Sequence, residues 1–161
     1  MKSWRRHFLS YSIVFVSIFI FTLSVYVNTS RSVESGDRAA LLEGANQMMS
    51  GNKAIMDIVN KKGIKDPDLQ AAEKMMSEGY DMIVKGEGMA SGSSADEGKS
   101  VMTRGGKMMI DADKKTQAAI KRLGLTEECT GAFGTCQIGE SKLKNGFQTY
   151  GLHGDWEPGG M

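Results

Sequence analysis

The stretch VNKKGIKDPDL, residues 59–69, decides the fold, because it stops one helix and starts another. Lys61 and Lys62 sit in a last turn, Gly63 follows at C′, and Ile64 can fold back as C″, the pattern of a glycine-terminated helix. Asp66 then stands at an N-cap, with Pro67 at N1 and Asp68 in the first turn, where carboxylates meet free backbone amides. KRLGL, residues 121–125, repeats the stop, and Ser94 with Glu97 spells a capping box. These signals predict helices over 37–62, 67–88 and 95–123, with GEGMASGSS joining the last two.

Working outward, apolar doublets recur every seven residues. The first helix carries Leu41-Leu42, Met48-Met49 and Ile55-Met56; the second carries Met75-Met76 and Met82-Ile83; the third carries Val101-Met102 and Met108-Met109. Seven residues are about two helical turns, so each helix has one stripe. Small residues fall between the doublets: Ala45; Ala72, Gly79 and Gly86; Gly98, Gly105, Ala112 and Ala119. They let a neighbouring backbone approach closely. Gly44 and Gly51, also seven apart, mark a second contact face, suited to another copy of the protein.

Short connections make consecutive helices antiparallel neighbours. At about 1.5 Å per residue, two layers align across an up-down-up three-helix bundle. One holds Ile55, Met56, Met75, Met76, Met108 and Met109; the other holds Met48, Met49, Met82, Ile83, Val101 and Met102.

The methionines are the enriched functional candidates. Ten of the 12 fall between positions 48 and 109. Thioethers are soft ligands that favour Cu(I), so Met48, Met49, Met56, Met75, Met76, Met82, Met102, Met108 and Met109 form a candidate metal set, and Cu(I) is the one cofactor the composition fits. In composition this stretch resembles the copper-handling proteins of the periplasm, without their M-x-x-M or M-x-M repeats. Methionine also fills irregular cores, and Ile55, Ile83 and Val101 share the stripes, so a packing core is the competing reading. A Met-rich partner surface is the third.

The N-terminus sets location. Lys2, Arg5 and Arg6 precede the uncharged run FLSYSIVFVSIFIFTLSVYV, residues 8–27, long enough to span a membrane at about 20 residues. Basic residues before it place that end in the cytoplasm. Residues 1–35 read as a signal-anchor, giving a single-pass inner-membrane protein with 36–161 outside the cytoplasm. Cleavage before Gly36 would give a secreted or periplasmic protein instead. Of the charged residues, Lys2, Arg5, Arg6, Arg31 and Glu34 lie in this leader, so the exported part has no basic surplus and nucleic acid is not an expected partner.

Beyond the third helix the composition changes. Residues 36–128 form the Met-rich bundle, whereas 129–161 read as an irregular, glycine-rich tail with a turn near Asn145-Gly146. Cys129 and Cys136 bracket TGAFGT, and in an oxidising compartment the pair predicts a disulfide. Phe147, Tyr150, Leu152 and Trp156 cover a bundle end or dock on a partner. His153 and Asp155 are a lone pair in that tail. No nucleophile elbow, P-loop or H-E-x-x-H occurs in the chain. The expectation is an all-α, non-enzymatic accessory or structural protein of the cell envelope that binds a protein partner or itself, with periplasmic Cu(I) binding as the alternative.

Overall fold

The computed structural model of the chain describes residues 38–90, 94–149 and 151–152. The leader, including 8–27, and Tyr150, His153, Asp155 and Trp156 lie outside them. Among the described residues no helix is long and apolar enough to cross a membrane. The described residues are all-helical: α1 spans 38–61, α2 Pro67–Ala90, α3 Ala95–Arg122 and α4 Thr130–Thr149.

The expected stops and starts form at the 59–69 turn. Gly63 has φ 69°, its amide donates to Asn60 O, and Ile64 N donates to Val59 O at 3.2 Å, the two bonds of a Schellman ending. Asp66 Oδ1 accepts from the amides of Asp68 and Leu69 at 2.9 and 3.1 Å. Arg122 at the end of α3 grips the same corner, reaching Asp66 Oδ2 at 2.6 Å and Asp68 Oδ2 at 2.7 Å. Gly124 and Leu125 repeat the ending. The capping box does not form: Ser94 precedes α3 without a side-chain cap bond.

The larger correction concerns the tail. Residues 130–149 are a fourth helix, so the bundle has four helices rather than three. Cys129, Ala132, Cys136, Gly139, Leu143 and Gly146 recur at alternating spacings of three and four, which gives α4 one inward face. Gly151 and Leu152 close it with a third Schellman ending, Leu152 N donating to Phe147 O at 2.8 Å. The expected turn at Asn145-Gly146 lies inside the helix.

The expected disulfide is overturned by the same helix. Both cysteines are buried free thiols. Seven residues of helix separate them by about 10.5 Å along the axis, whereas a disulfide needs Cα atoms about 4.4–6.8 Å apart.

The second contact face at Gly44 and Gly51 is real, but its occupant is α4 of the same chain. A Cβ on Gly44 would lie 2.8 Å from Gly139 O, and one on Gly139 would lie 2.7 Å from Gly44 O. A Cβ on Gly51 would lie 2.8 Å from Ala132 O. The α2·α3 seam is built alike, with Gly79 against Gly105 and Gly86 against Gly98. The bundle is therefore two close antiparallel pairs, α1·α4 and α2·α3, laid face to face. In contrast, α3 and α4 touch only along a short stretch.

The pairs share a plan because the two hairpins share a register. An offset of 61 residues carries Gly44 to Gly105, Met48 to Met109 and Gly63 to Gly124; beyond the turn an offset of 60 carries Ala72 to Ala132, Gly79 to Gly139 and Gly86 to Gly146. The contacts follow the residues. Met48 Cγ sits 2.9 Å from the Cβ position of Gly139, and Met109 Cγ sits 2.8 Å from that of Gly79. The fold is a helical hairpin written twice, with α1·α4 and α3·α2 as equivalent seams.

Buried side chains form two clusters. One contains Leu41, Met48, Met76, Ile83, Met102, Met109, Leu143 and Phe147; the other contains Ile55, Met56, Val59, Leu69, Ile120, Leu125, Cys129 and Cys136. The expected layer joining Ile55 and Met56 to Met76 and Met109 is thus split. By register, the buried polar residues Asn52, Asp113 and Thr116 fall between the two clusters.

Candidate functional site

Helix α1 separates from α2 where no glycine seam draws them together. A groove of about 520 Å³ lies between them, within the usual size of ligand sites. Its α1 wall carries Met49, Asn52 and Met56, three residues or four apart and so on one face, with Lys53 and Asp57 at the rim. Its α2 wall carries Glu73, Lys74 and Ser77. Asn52 is the deepest polar group, 4% exposed. Its Oδ1 accepts from Thr116 Oγ1 at 3.2 Å, which ties the amide to α3, and the residue lines the groove.

The methionine set divides. Met48, Met76, Met102 and Met109 are fully buried among Leu41, Ile83, Leu143 and Phe147. Met48, Met102 and Met109 lie over Gly139, Gly86 and Gly79, filling the space that those glycines leave. Met75, Met82 and Met108 are half-buried flanking partners. Met49 and Met56 are the members that line the groove. Phe147, expected at a partner surface, is a core residue: its ring occupies the space where a Gly106 side chain would stand. Among the described residues, no three His, Cys, Asp or Glu side chains gather to hold a metal ion.

A second polar group lies in the α3·α4 seam. Asp113, 1% exposed, accepts from Gln117 Nε2 at 2.6 Å through Oδ2, while Oδ1 has no partner. Burial raises its affinity for a proton, and Glu140 on α4 adds to the effect, against the opposing hydrogen bond from Gln117 and the nearby Cys136 thiol. Cys136 Sγ donates to Met48 O at 3.7 Å. Burial, with Asp113 and Glu140 beside it, pushes this thiol up to about 12. A thiol held so high is a poor nucleophile at neutral pH.

Sequence reasoning missed Asn52 and Asp113. The available signal was position: Asn52 is in step with Ala45 and Val59, and Asp113 with Gly106 and Ile120, so each is a polar residue on an inward stripe. The hairpin offset makes Asn52 and Asp113 equivalent.

These features define a duplicated-hairpin four-helix bundle with two glycine-closed seams and an open groove. No family model matches the chain, and no curated protein or solved structure matches it.

Proposed function

We propose that the protein is a non-enzymatic accessory component of the cell envelope that holds a segment of a protein partner in the α1·α2 groove. One observation carries this reading. The glycine seams close α1·α4 and α2·α3, yet α1·α2 stays open over Met49, Met56 and a buried Asn52. Thioethers adapt to varied apolar side chains, and an inward amide can bond a peptide carbonyl. The apolar run at 8–27 supports a membrane-tethered setting. A photo-crosslinking residue at Lys53 or Ser77 should trap the partner in cells, and one at Ile138, exposed on α4, should not. No adduct from the groove positions, or one from Ile138 alone, refutes it.

The second reading is Cu(I) binding, and burial contracts it to Met49 and Met56. Seven residues of helix hold these two about 10.5 Å apart along the axis, so each would need additional ligands from the bound molecule. Replacing Met49 and Met56 with leucine should abolish Cu(I) uptake under a competing chelator, while the same change at Met48 and Met109 leaves it intact. Uptake that survives loss of Met49 and Met56 removes this reading.

A further inference from the structure

The second hairpin carries an aromatic ring where the first leaves its groove open. Resting on the reading of that groove as the holder of a partner segment, we propose that the occupant is a polypeptide segment presenting an aromatic side chain next to a basic one.

The hairpin offsets make the α3·α4 interface the equivalent of the α1·α2 groove. Where α2 carries Glu73 and Glu87, α4 carries Phe133 and Phe147. The Phe147 ring stands over Gly106 of α3. Phe133 is half-buried and packs against the cluster holding Ile120, Cys129 and Cys136. In the first hairpin Glu87 pairs with Arg38 and so ties α2 to α1 at that level. Nothing answers Phe133 in the same way: Glu73 is exposed, and the groove lies open beside it. The apolar group has changed walls, since Met56 on α1 is buried while its counterpart Gln117 on α3 is exposed. The first hairpin therefore offers thioethers without the ring that covers the second. Thioethers make favourable contacts with aromatic rings, and Met49 and Met56 both line the groove. A cavity of about 150 Å³ takes one benzene, so about 520 Å³ holds a ring together with its flanking backbone. Charge supplies the second part. Asp57 lies six residues before Gly63 and Glu73 seven after Asp66, so the two come level across the groove, and their counterparts Ala118 and Phe133 are uncharged. Lys53 has its counterpart in Lys114, and Lys74 pairs with Glu78 at 3.7 Å. The charge added at the level of the ring is thus two carboxylates, which a cation beside the ring complements.

The test uses the full-length chain in detergent micelles, with isotope-labelled methionine methyl groups read by NMR. It is titrated with three blocked dipeptides: acetyl-Phe-Lys-amide, acetyl-Leu-Lys-amide and acetyl-Phe-Glu-amide. The Phe-Lys peptide should move the Met49 and Met56 signals and leave those of the buried Met48 and Met109 in place. It should bind about tenfold more tightly than the Leu-Lys peptide, and about threefold more tightly than the Phe-Glu peptide at low salt. Glu73→Phe supplies the ring within the chain, so its urea midpoint should rise and Phe-Lys binding should be lost. Glu73→Gln should keep the preference for Phe over Leu and lose much of that for Lys over Glu. A Leu-Lys peptide that binds as tightly as Phe-Lys, no movement of Met49 and Met56 with any peptide, or a folded Glu73→Phe chain that still binds Phe-Lys overturns the proposal. The groove as a holder of a segment is decided separately, by trapping at Lys53 and Ser77. An adduct there whose partner peptide contains no aromatic residue leaves the groove its role and removes the ring.

Discussion

Replacing Gly139 with alanine tests the architecture most directly, because two opposed effects can be separated within one helix. The new Cβ would lie 2.6 Å from Met48 N and 2.7 Å from Gly44 O, where ordinary contact begins at 3.4 Å. Both atoms are backbone, so α4 must retreat from α1 by roughly three-quarters of an ångström along a close-packed seam. Overpacking of this kind costs about 1–3 kcal/mol, and the backbone partners place it in the upper half. Helix propensity returns about 1 kcal/mol, so the net loss is about 1–2 kcal/mol. Gly134, also in α4, has nothing within 4 Å of its Cβ position, so Gly134→Ala should gain about 1 kcal/mol. The propensity gain is common to both and cancels in the comparison, which isolates the clash at about 2–3 kcal/mol. Urea unfolding followed by circular dichroism should resolve it, and the two melting temperatures should differ by roughly 10 °C. Gly79→Ala should match Gly139→Ala, since its Cβ meets Gly105 O at 2.7 Å. If Gly139→Ala is as stable as Gly134→Ala, α4 does not pack on α1 in this register.

Two further expectations use the charge and thiol chemistry. Partial burial pulls the Asp66 carboxyl upward, but hydrogen bonds from Arg122 and the Leu69 and Asp68 amides, with the Arg122 charge, hold it below the usual carboxylate range. Its contribution is therefore present above the ordinary carboxylate value and lost as pH falls through the lowered one. Arg122→Gln should lower stability at neutral pH and flatten this acid loss, read as urea midpoint against pH; an unchanged acid slope would show that the clamp does not set it. Separately, the folded protein in a glutathione redox buffer should keep Cys129 and Cys136 as thiols, whereas the urea-unfolded chain should join them. Intact mass after alkylation reports both states, and a complete disulfide in protein that retains full helicity would contradict α4.

Helices α1 to α3 were legible because their ends are marked by charge and glycine and their cores by large apolar residues. Helix α4 was not, although its end carries the same mark. Gly151-Leu152 has the form of Gly63-Ile64 and Gly124-Leu125, but the glycine content of 130–161 outweighs it when helix propensity is summed locally. Gly139 and Gly146 are helical because α1 presses against them, a tertiary cause that a local reading cannot see. The small face of α4, Cys129-Ala132-Cys136-Gly139, gives little hydrophobic contrast for the same reason. The groove was invisible on other grounds: it exists where α1 and α2 fail to close, and nothing in Met49, Asn52 or Met56 alone marks that gap.

Methionine and glycine rise together in this chain because each answers the other. A glycine lets two helices approach and leaves a hollow across the seam, and a long unbranched thioether fills it: Met48 over Gly139, Met109 over Gly79, Met102 over Gly86. Packing accounts for these methionines without a metal. Met49 and Met56 do not belong to that set, since they line the groove. The duplication sharpens the distinction. Between the two hairpins three seam glycines match, Gly44 with Gly105, Gly79 with Gly139 and Gly86 with Gly146, and Gly51 is replaced by another small residue, Ala112, while the equivalent groove positions differ more: Met56 becomes Gln117, Glu73 becomes Phe133, and Asn52 becomes Asp113. The first hairpin leaves its groove open over Met49, Asn52 and Met56, whereas the equivalent inward position of the second carries the buried acid Asp113 beside Glu140 and Cys136 of α4.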